Sequence, residues 1–320
     1  MDNLTPIFDV AKICRQHDPK FDPAKATIED IQAAFDDVVS HTEGYKPPGA
    51  GRDVFIALPQ YKNTNPLTLF SLLALFDRSK MRLKMNFGDA LIAHTRNKLA
   101  KAFLDSGCEW SLWVDDDMVL PIGDAAWFNS VTDLGLPSQL AEQHTLNRLL
   151  SHGKTIVGGL YFGRSSRGKP MFYEGANDAN IAMRLRSVEN LGRLVPSKWV
   201  GTGCVLIHRK VFLDIVEKFP HLAPRKGSPD DFAFFTPHPD RVFFILAQAA
   251  EEKDPAAKAK LVADAAKAAS EYRPGIGEDV TFCGRALYCG HQPHVDTGLV
   301  CGHVGNHAYG PTNTNPRPTN

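Results

Sequence analysis

Three consecutive carboxylates, Asp115, Asp116 and Asp117, follow a short apolar segment at residues 110–114. The aromatic and β-branched residues of that segment predict a buried strand. Adjacent anions at the end of a buried strand repel one another and lose hydration, so we expect a cation to compensate them. Carboxylate oxygens suit Mg²⁺ or Mn²⁺, particularly where a phosphate completes the coordination shell. A solvated acidic turn and a helix N-terminus are the alternative interpretations.

Three further motifs carry side chains suited to ligand binding or catalysis. They are Pro59, Gln60, Tyr61 and Lys62 after a predicted strand, Arg96 and Asn97 on a predicted helix, and Glu278 and Asp279 at a predicted helix start. The first motif could bind a base or ribose, and Arg96 could reach a phosphate or uracil by charge-assisted hydrogen bonds. Asp279 could act as a general base towards an acceptor hydroxyl. The structural alternatives are a strand-to-helix turn, a surface arginine and a helix cap.

A segment rich in cysteine and histidine, from Cys283 to His307, suggests a structural zinc site. It contains no Cys-x-x-Cys pair, however, and its spacings match none of the usual structural zinc patterns. A single histidine that joins the aspartates at a catalytic metal is the interpretation that we favour.

The elements that must position these residues alternate between strands and helices. Strands are predicted at 53–58, 81–86 and 110–114, with helices at 66–76 and 89–106 between them. This alternation is typical of a mostly parallel sheet flanked by helices. Open α/β sheets bind ligands at the carboxyl ends of their strands, where the three aspartates fall. The predicted apolar face of the second helix consists of Leu91, Ile92, Leu99 and Phe103.

Composition divides the chain into a main domain and two flanking segments. We predict an N-terminal extension and linker at 1–51, a main domain at 52–310 and a disordered tail at 311–320. Residues 223–274 are rich first in proline and charge and then in Ala, Lys and Glu. They predict an insertion of a loop and helices, interrupted at Asp254-Pro255.

The charges are balanced overall but uneven along the chain. The 320 residues are 43% hydrophobic and 22% charged, with a formal net charge of zero, so no global field draws the protein to nucleic acid or membrane. Residues 154–210 hold ten bases and three acids, a balance of +7, which leaves a local basic face towards phosphates. The absence of a membrane-length apolar run and of a signal-peptide pattern favours a soluble cytoplasmic protein. The six cysteines are then expected to be free thiols.

The order of these motifs resembles that of GT-A-fold glycosyltransferases, particularly the family-2-like enzymes of bacterial and phage genomes. The match covers residues 53–305, although 223–274 match poorly. The matching segments are Leu58-Pro-Gln-Tyr61, His94-Thr-Arg-Asn97, Asp115-Asp-Asp117, Ile156-Val-Gly-Gly-Leu-Tyr161, Gly201-Thr-Gly-Cys-Val-Leu-Ile-His-Arg209, Gly277-Glu-Asp-Val-Thr-Phe-Cys-Gly-Arg285 and Gly302-His-Val-Gly305. The resemblance implies an α/β fold of the GT-A, Rossmann-like class, with a mostly parallel mixed sheet, flanking helices and a helical insertion.

The resemblance also implies roles for the matching residues. Asp115 and Asp117 would hold Mn²⁺ or Mg²⁺ across the two phosphates of a nucleotide-sugar, with His303 as the third protein ligand. Asp279 would deprotonate the acceptor, and Glu278 would touch the acceptor or the sugar. The residues expected around the donor nucleotide are Pro59, Gln60, Tyr61, Arg96, Asn97 and Asp116. Those expected beside the sugar and acceptor are Trp199, Gly201, Thr202 and Gly203.

The activity implied by the resemblance is a metal-dependent transfer of a hexose or pentose from a nucleotide-diphosphate sugar to an acceptor hydroxyl. A UDP-sugar is the expected donor, and a base opposite the leaving group gives inversion. The acceptor could be a glycan, a lipid, a protein or modified DNA. The basic stretch leaves open a phage-type DNA glycosyltransferase that acts on hydroxymethylated bases in the host cytoplasm. A nucleotidyltransferase, which normally has a glycine-rich phosphate loop, and a zinc-stabilised binding protein are the remaining alternatives.

Overall fold

The computed structural model describes residues 53–60, 64–76, 81–87, 91–164, 170–173, 191–224, 232–271, 277–304 and 308–309. The predicted N-terminal extension and tail lie outside the described residues, and so does Tyr61. The proposed domain boundaries therefore stay predictions.

Among the described residues, seven strands form the central sheet and five short strands form two small sheets. In chain order the strands are β1 (Val54–Gln60), β2 (Met81–Phe87), β3 (Trp110–Val114), β4 (Met118–Val119), β5 (Ile156–Leu160), β6 (Phe172–Tyr173), β7 (Leu194–Pro196), β8 (Trp199–Val200), β9 (Cys204–His208), β10 (His294–Val300), β11 (Gly302–Val304) and β12 (Ala308–Tyr309). The order in the central sheet is β2-β1-β3-β9-β5-β10-β7. The small sheets are β12-β11-β4 and β6-β8.

The central sheet is mixed but mostly parallel. Strands β1, β2 and β3 pair in parallel, as do β5 and β10. Strand β9 runs antiparallel between β3 and β5, and β7 runs antiparallel at the edge. Five of the seven strands therefore point the same way, and helices flank the sheet. This mostly parallel sheet with flanking helices is Rossmann-like and consistent with the GT-A fold that the sequence predicted, so the predicted fold class is confirmed.

The described helices cover both faces of the sheet. They are α1 (Pro66–Leu75), α2 (Ile92–Ser106), α3 (Ala125–Thr132), α4 (Ser138–Ala141), α5 (Thr145–Ser151), α6 (Arg209–Lys218), α7 (Asp240–Glu251), α8 (Pro255–Glu271) and α9 (Glu278–Tyr288). None of them is both long and apolar enough to cross a membrane. Helix α2 begins three residues later than predicted, and Leu91 and Ile92 are 69% and 41% exposed. The predicted apolar face is therefore wrong for these two residues, because they lie at the very start of the helix.

Strand β1 shows why a continuous apolar run is a good strand predictor. Every one of its residues is buried, and successive side chains enter opposite cores. Phe55 and Ala57 belong to the cluster that α2, α6 and α9 cover, whereas Val54, Ile56 and Leu58 belong to the cluster that α1 and α5 cover. A strand buried on both faces loses the alternation of a half-exposed strand. The strand is therefore packed between the two clusters along its length.

The predicted insertion contains a helical hairpin, α7 and α8, which breaks at Asp254-Pro255 as the sequence predicted. Arg285 on α9 ties the segment before this hairpin to the main domain. Its guanidinium is 2% exposed and pairs with Asp240 through two hydrogen bonds of 2.8 and 3.1 Å. It also donates to the carbonyl oxygens of Ala233, Phe234 and Thr236. One buried arginine therefore connects the insertion to the helix that begins with Glu278.

We expect Arg285→Ala to lower the free energy of unfolding by about 3–5 kcal/mol, because it leaves Asp240 and three carbonyl groups without their donor. Urea unfolding followed by circular dichroism measures this loss. Arg241→Ala removes an exposed arginine from α7 and is the matched control, with an expected change of about 0.5 kcal/mol or less. Equal small losses in both variants would contradict the anchoring role of Arg285.

Candidate active site

A cleft of about 330 Å³ opens at the carboxyl ends of β1 and β3. Nine of its thirteen lining residues are ones that the sequence singled out for a site. These nine are Pro59, Arg96, Asp115, Asp116, Asp117, Thr202, Glu278, Asp279 and His303, and the other four are Ile92, Tyr161, Arg164 and Met171. The cleft lies at the edge where open α/β sheets bind their ligands.

The aspartates sit in a tight turn between β3 and β4. The backbone N–H of Asp115 donates to the Gly203 carbonyl at 3.2 Å, which ties the turn to β9. Strand β4 then pairs antiparallel with β11, so that Met118 lies opposite His303. The N–H of Val304 donates to the Asp117 carbonyl at 2.8 Å. The small sheet therefore brings a distant histidine to the third aspartate.

His303 and Asp117 face each other with a geometry that suits a divalent cation. His303 Nδ1 lies 2.7 Å from the Phe162 carbonyl oxygen, which can only accept, so Nδ1 carries the hydrogen. Nε2 is then directed at Asp117 Oδ2, 3.3 Å away. The second carboxylate oxygen, Asp117 Oδ1, is buried and has no hydrogen-bond partner. Orienting the histidine through its other nitrogen is the usual way in which proteins prepare an imidazole for a metal.

Asp115 is held differently, by the buried Arg96. The Arg96 side chain is 4% exposed, and its guanidinium binds Asp115 Oδ1 at 2.7 Å and also Glu278 Oε1. Burial disfavours the charged guanidinium, but Asp115 and Glu278 outweigh it and raise the pKa of Arg96 above its usual value. Among the described residues, no three His, Cys, Asp or Glu side chains are arranged to hold a metal ion. Asp117 and His303 are thus the pair that fits a metal, while Asp115 is already engaged.

Asp279 has the electrostatic character expected of a general base. Burial, followed by the negative charge of Glu278, raises the pKa of its carboxyl group. The Val280 N–H donates to Asp279 Oδ1 at 2.7 Å, which opposes the rise and fixes the side chain at the start of α9. The carboxylate is therefore held in place and made more basic than a free aspartate.

Tyr161 is a cleft residue that the sequence prediction did not include. Its hydroxyl accepts the Gly203 N–H at 3.0 Å, and its ring lies edge-on to His303 at 5.6 Å. Burial and the charge of Asp115 raise the pKa of Tyr161 well above its usual range. A Cβ atom at Gly201 would lie 2.1 Å from the Tyr161 hydroxyl oxygen. The glycines therefore allow the Tyr161 side chain to approach the backbone closely. The Val-Gly-Gly-x-Tyr motif was the sequence signal that could have identified Tyr161.

We expect Gly201→Ala to lower the free energy of unfolding by about 1–3 kcal/mol, because the added methyl group would overlap the Tyr161 hydroxyl. The matched control is Gly284→Ala in α9, where an added Cβ meets no atom within 4 Å. That change should leave stability unchanged or raise it by about 0.5–1 kcal/mol, since alanine is the better helix former. Urea unfolding compares the two variants, and equal effects would argue against the tyrosine contact.

Several predicted site residues do not line the cleft. These are Gln60, Asn97, Trp199, Gly201 and Gly203. Asn97 donates to Thr236 Oγ1 at 2.7 Å and accepts the Phe235 N–H at 2.9 Å, so both ends of its amide hold the segment before the hairpin. Like Arg285, Asn97 therefore fixes the segment before the hairpin and does not line the cleft.

The cysteines and histidines of the segment predicted as a possible zinc site contact different parts of the fold. Cys301 lies against Cys204, and His291 Nε2 pairs with Asp214 at 2.9 Å. His294 Nδ1 lies 2.8 Å from the Gln292 carbonyl oxygen. His307 lies outside the described residues, and the cysteines that the structure describes are free thiols. Within the described part of the chain, His303 is the histidine that reaches the aspartates.

No protein-family model matches this chain, and no curated protein matches it either. Among solved structures it is similar to A197 from STIV, with 15% identity over 79% of this chain and 86% of that chain and a TM-score of 0.40. It is also similar to the mannosyltransferase PcManGT from Pyrobaculum calidifontis, solved in complex with GDP-Man and Mn²⁺, with 12% identity over 82% of this chain and 98% of that chain and a TM-score of 0.24. Both TM-scores lie below 0.5, and we therefore infer function from the residues of the cleft.

Proposed function

We propose that the protein is a metal-dependent glycosyltransferase. It transfers a sugar from a nucleotide-diphosphate sugar, with a UDP-sugar as the expected donor, to the hydroxyl group of an acceptor. The catalytic unit is the domain predicted at 52–310. The observation that carries the proposal is the convergence in one cleft of the Asp115–Asp117 turn, His303 and the Glu278–Asp279 helix start.

Asp117 and His303 would hold the metal, Mn²⁺ or Mg²⁺. The buried, unpartnered Asp117 Oδ1 and the orientation of His303 by the Phe162 carbonyl support this assignment. Two protein donors leave room for diphosphate oxygens and water in the coordination shell, as Mg²⁺ sites with substrate phosphates usually do. When bound, the metal would neutralise the charge that develops on the leaving diphosphate. Asp115 is a third candidate ligand if Arg96 releases it.

Asp279 would take the proton from the acceptor hydroxyl. Its raised pKa supports that role, because a base is most effective when its pKa approaches the working pH. The hydrogen bond from the Val280 N–H would keep the carboxylate directed into the cleft. Arg96 would hold Glu278 beside Asp115. This contact would fix the distance between the start of α9, which carries Asp279, and the turn that carries the three aspartates. A base that faces the leaving group across the sugar would give inversion at the anomeric carbon.

The proposal is tested by screening UDP-, GDP-, ADP- and dTDP-sugars for thermal stabilisation and for hydrolysis, with Mn²⁺ and with EDTA. A ligand that binds only the folded state raises the melting temperature by mass action. We expect one nucleotide class to stabilise the protein selectively in Mn²⁺ and to lose this effect in EDTA. If no nucleotide-sugar is bound or cleaved with Mn²⁺, the glycosyltransferase proposal fails.

A further inference from the structure

Among the described residues that line the cleft, Arg164 is the exposed cation. It lies after β5, and its side chain is 52% exposed. Its Nη1 lies 3.0 Å from Asp117 Oδ2, the same oxygen that His303 Nε2 faces at 3.3 Å. The guanidinium therefore already occupies one side of the carboxylate on which the proposed metal site depends.

The two arginines of the cleft differ in how firmly they are held. The Arg96 side chain is 4% exposed and pairs with two carboxylates, Asp115 and Glu278. Within the described part of the chain, Arg164 pairs with Asp117 alone, and its side chain is 52% exposed. An exposed ion pair contributes little to stability, whereas a buried guanidinium cannot leave its partners without a large penalty. Arg164 is thus the arginine that can exchange its partner.

We propose that Arg164 is an exchangeable counter-ion for Asp117. It pairs with Asp117 while no metal is present, leaves the carboxylate when a divalent cation binds there, and then pairs with the donor diphosphate. The inference rests on the proposed function. Two cations on one carboxylate oxygen repel each other, so metal binding displaces the guanidinium. The incoming diphosphate lies beside the displaced group, and the planar fork of arginine matches phosphate oxygens.

The exchange predicts opposite effects on two affinities. Arg164→Ala removes a competitor for Asp117, so Mn²⁺ alone should bind about twofold to fivefold more tightly, because the ion no longer has to displace an exposed ion pair. The same variant lacks a charge-assisted contact to the diphosphate, so a nucleoside diphosphate in the presence of Mn²⁺ should bind about tenfold more weakly. Arg164→Lys keeps the charge and should hold the affinity for Mn²⁺ near that of the wild type, with an intermediate loss for the diphosphate.

The experiment titrates the full chain with Mn²⁺ alone, followed by electron paramagnetic resonance of the free ion. It then measures UDP and GDP separately by calorimetry at saturating Mn²⁺. Arg193→Ala, which removes an exposed arginine that does not line the cleft, is the matched control and should change neither affinity. Tighter Mn²⁺ binding with weaker diphosphate binding in Arg164→Ala supports the exchange. Unchanged or weaker Mn²⁺ binding, or unchanged diphosphate binding, would overturn it.

The outcome separates the exchange from the proposed function. If the wild type binds neither Mn²⁺ nor a diphosphate, the glycosyltransferase proposal itself fails and the exchange fails with it. If the wild type binds both, and Arg164→Ala matches Arg193→Ala, the transferase proposal stands and the exchange alone is rejected.

Discussion

Asp117→Ala should abolish Mn²⁺-dependent binding of the nucleotide-sugar and lower the transfer rate by about a thousandfold or more. Asp117 is the aspartate whose Oδ1 is buried without a hydrogen-bond partner and whose Oδ2 faces both His303 and Arg164. Its removal leaves His303 as the remaining donor of the proposed pair while Asp115 is bound to Arg96, and an imidazole alone does not hold a hard divalent cation against water. Calorimetry with Mn²⁺ and the donor, together with steady-state transfer rates, measures both effects.

The matched control for this variant is Asp105→Ala. Asp105 is an exposed aspartate at the end of α2 that pairs with Lys101, so its loss removes one negative charge far from the cleft. It should leave the Mn²⁺ and donor affinities at the values of the wild type. Metal-dependent donor binding that survives in Asp117→Ala would refute the assignment of Asp117, and unfolding in urea distinguishes a lost ligand from a lost fold.

Asp279→Asn should lower the transfer rate by about a hundredfold to ten-thousandfold while donor binding persists. The asparagine keeps the shape and can still accept the Val280 N–H, but it cannot take a proton from the acceptor. Steady-state transfer measures the rate, and calorimetry with the donor measures binding. A transfer rate close to that of the wild type would exclude Asp279 as the base.

The raised pKa of Asp279 also predicts a stability effect of a defined sign. An aspartate whose pKa is higher in the folded state contributes stability below its ordinary pKa, and this contribution is lost as the pH rises through the raised value. At neutral pH the ionised Asp279 is therefore a cost to folding, and Asp279→Asn should raise the melting temperature. The gain should shrink as the pH falls from the raised pKa of Asp279 towards the ordinary pKa of an aspartate, and it should be absent below that value.

If the protein is the proposed transferase, we expect the raised pKa of Asp279 to set the acid limb of its pH–rate profile. Because the base must be ionised, the rate of the wild type should fall as the pH drops through the raised pKa of Asp279, above the range of a free aspartate. In Asp279→Asn the residual rate should lack this limb. An acid limb that persists unchanged in the variant would assign it to another group.

Local patterns were enough to predict the sheet and part of the cleft. The unbroken burial of β1 and the five mostly apolar residues of β3 are properties of short segments. Strand β3 has the predicted bounds, whereas β1 begins one residue later than predicted and continues through Pro59 and Gln60, which were expected in the loop after it. The aspartates follow β3 directly, so their position at the carboxyl end of a strand needed no knowledge of distant contacts. The start of α2 was less predictable, because Leu91 and Ile92 fit the helical spacing yet face outward.

Tertiary structure decided which of these residues meet and what each one does. Residues 118 and 303 are opposite each other only because β4 pairs with β11, and Arg96 reaches Glu278 only because α2 and α9 lie on the same face of the sheet. The spacing of apolar residues along the chain indicates which residues are buried and whether a segment is a helix or a strand. Contacts between distant residues depend instead on the order of the strands and on how the helices pack. The sequence alone therefore determined a carboxylate-bearing strand end in an α/β sheet. The tertiary structure decided that Arg96 pairs with Asp115 and that Tyr161 packs against two glycines. It also decided that Asp117 faces His303.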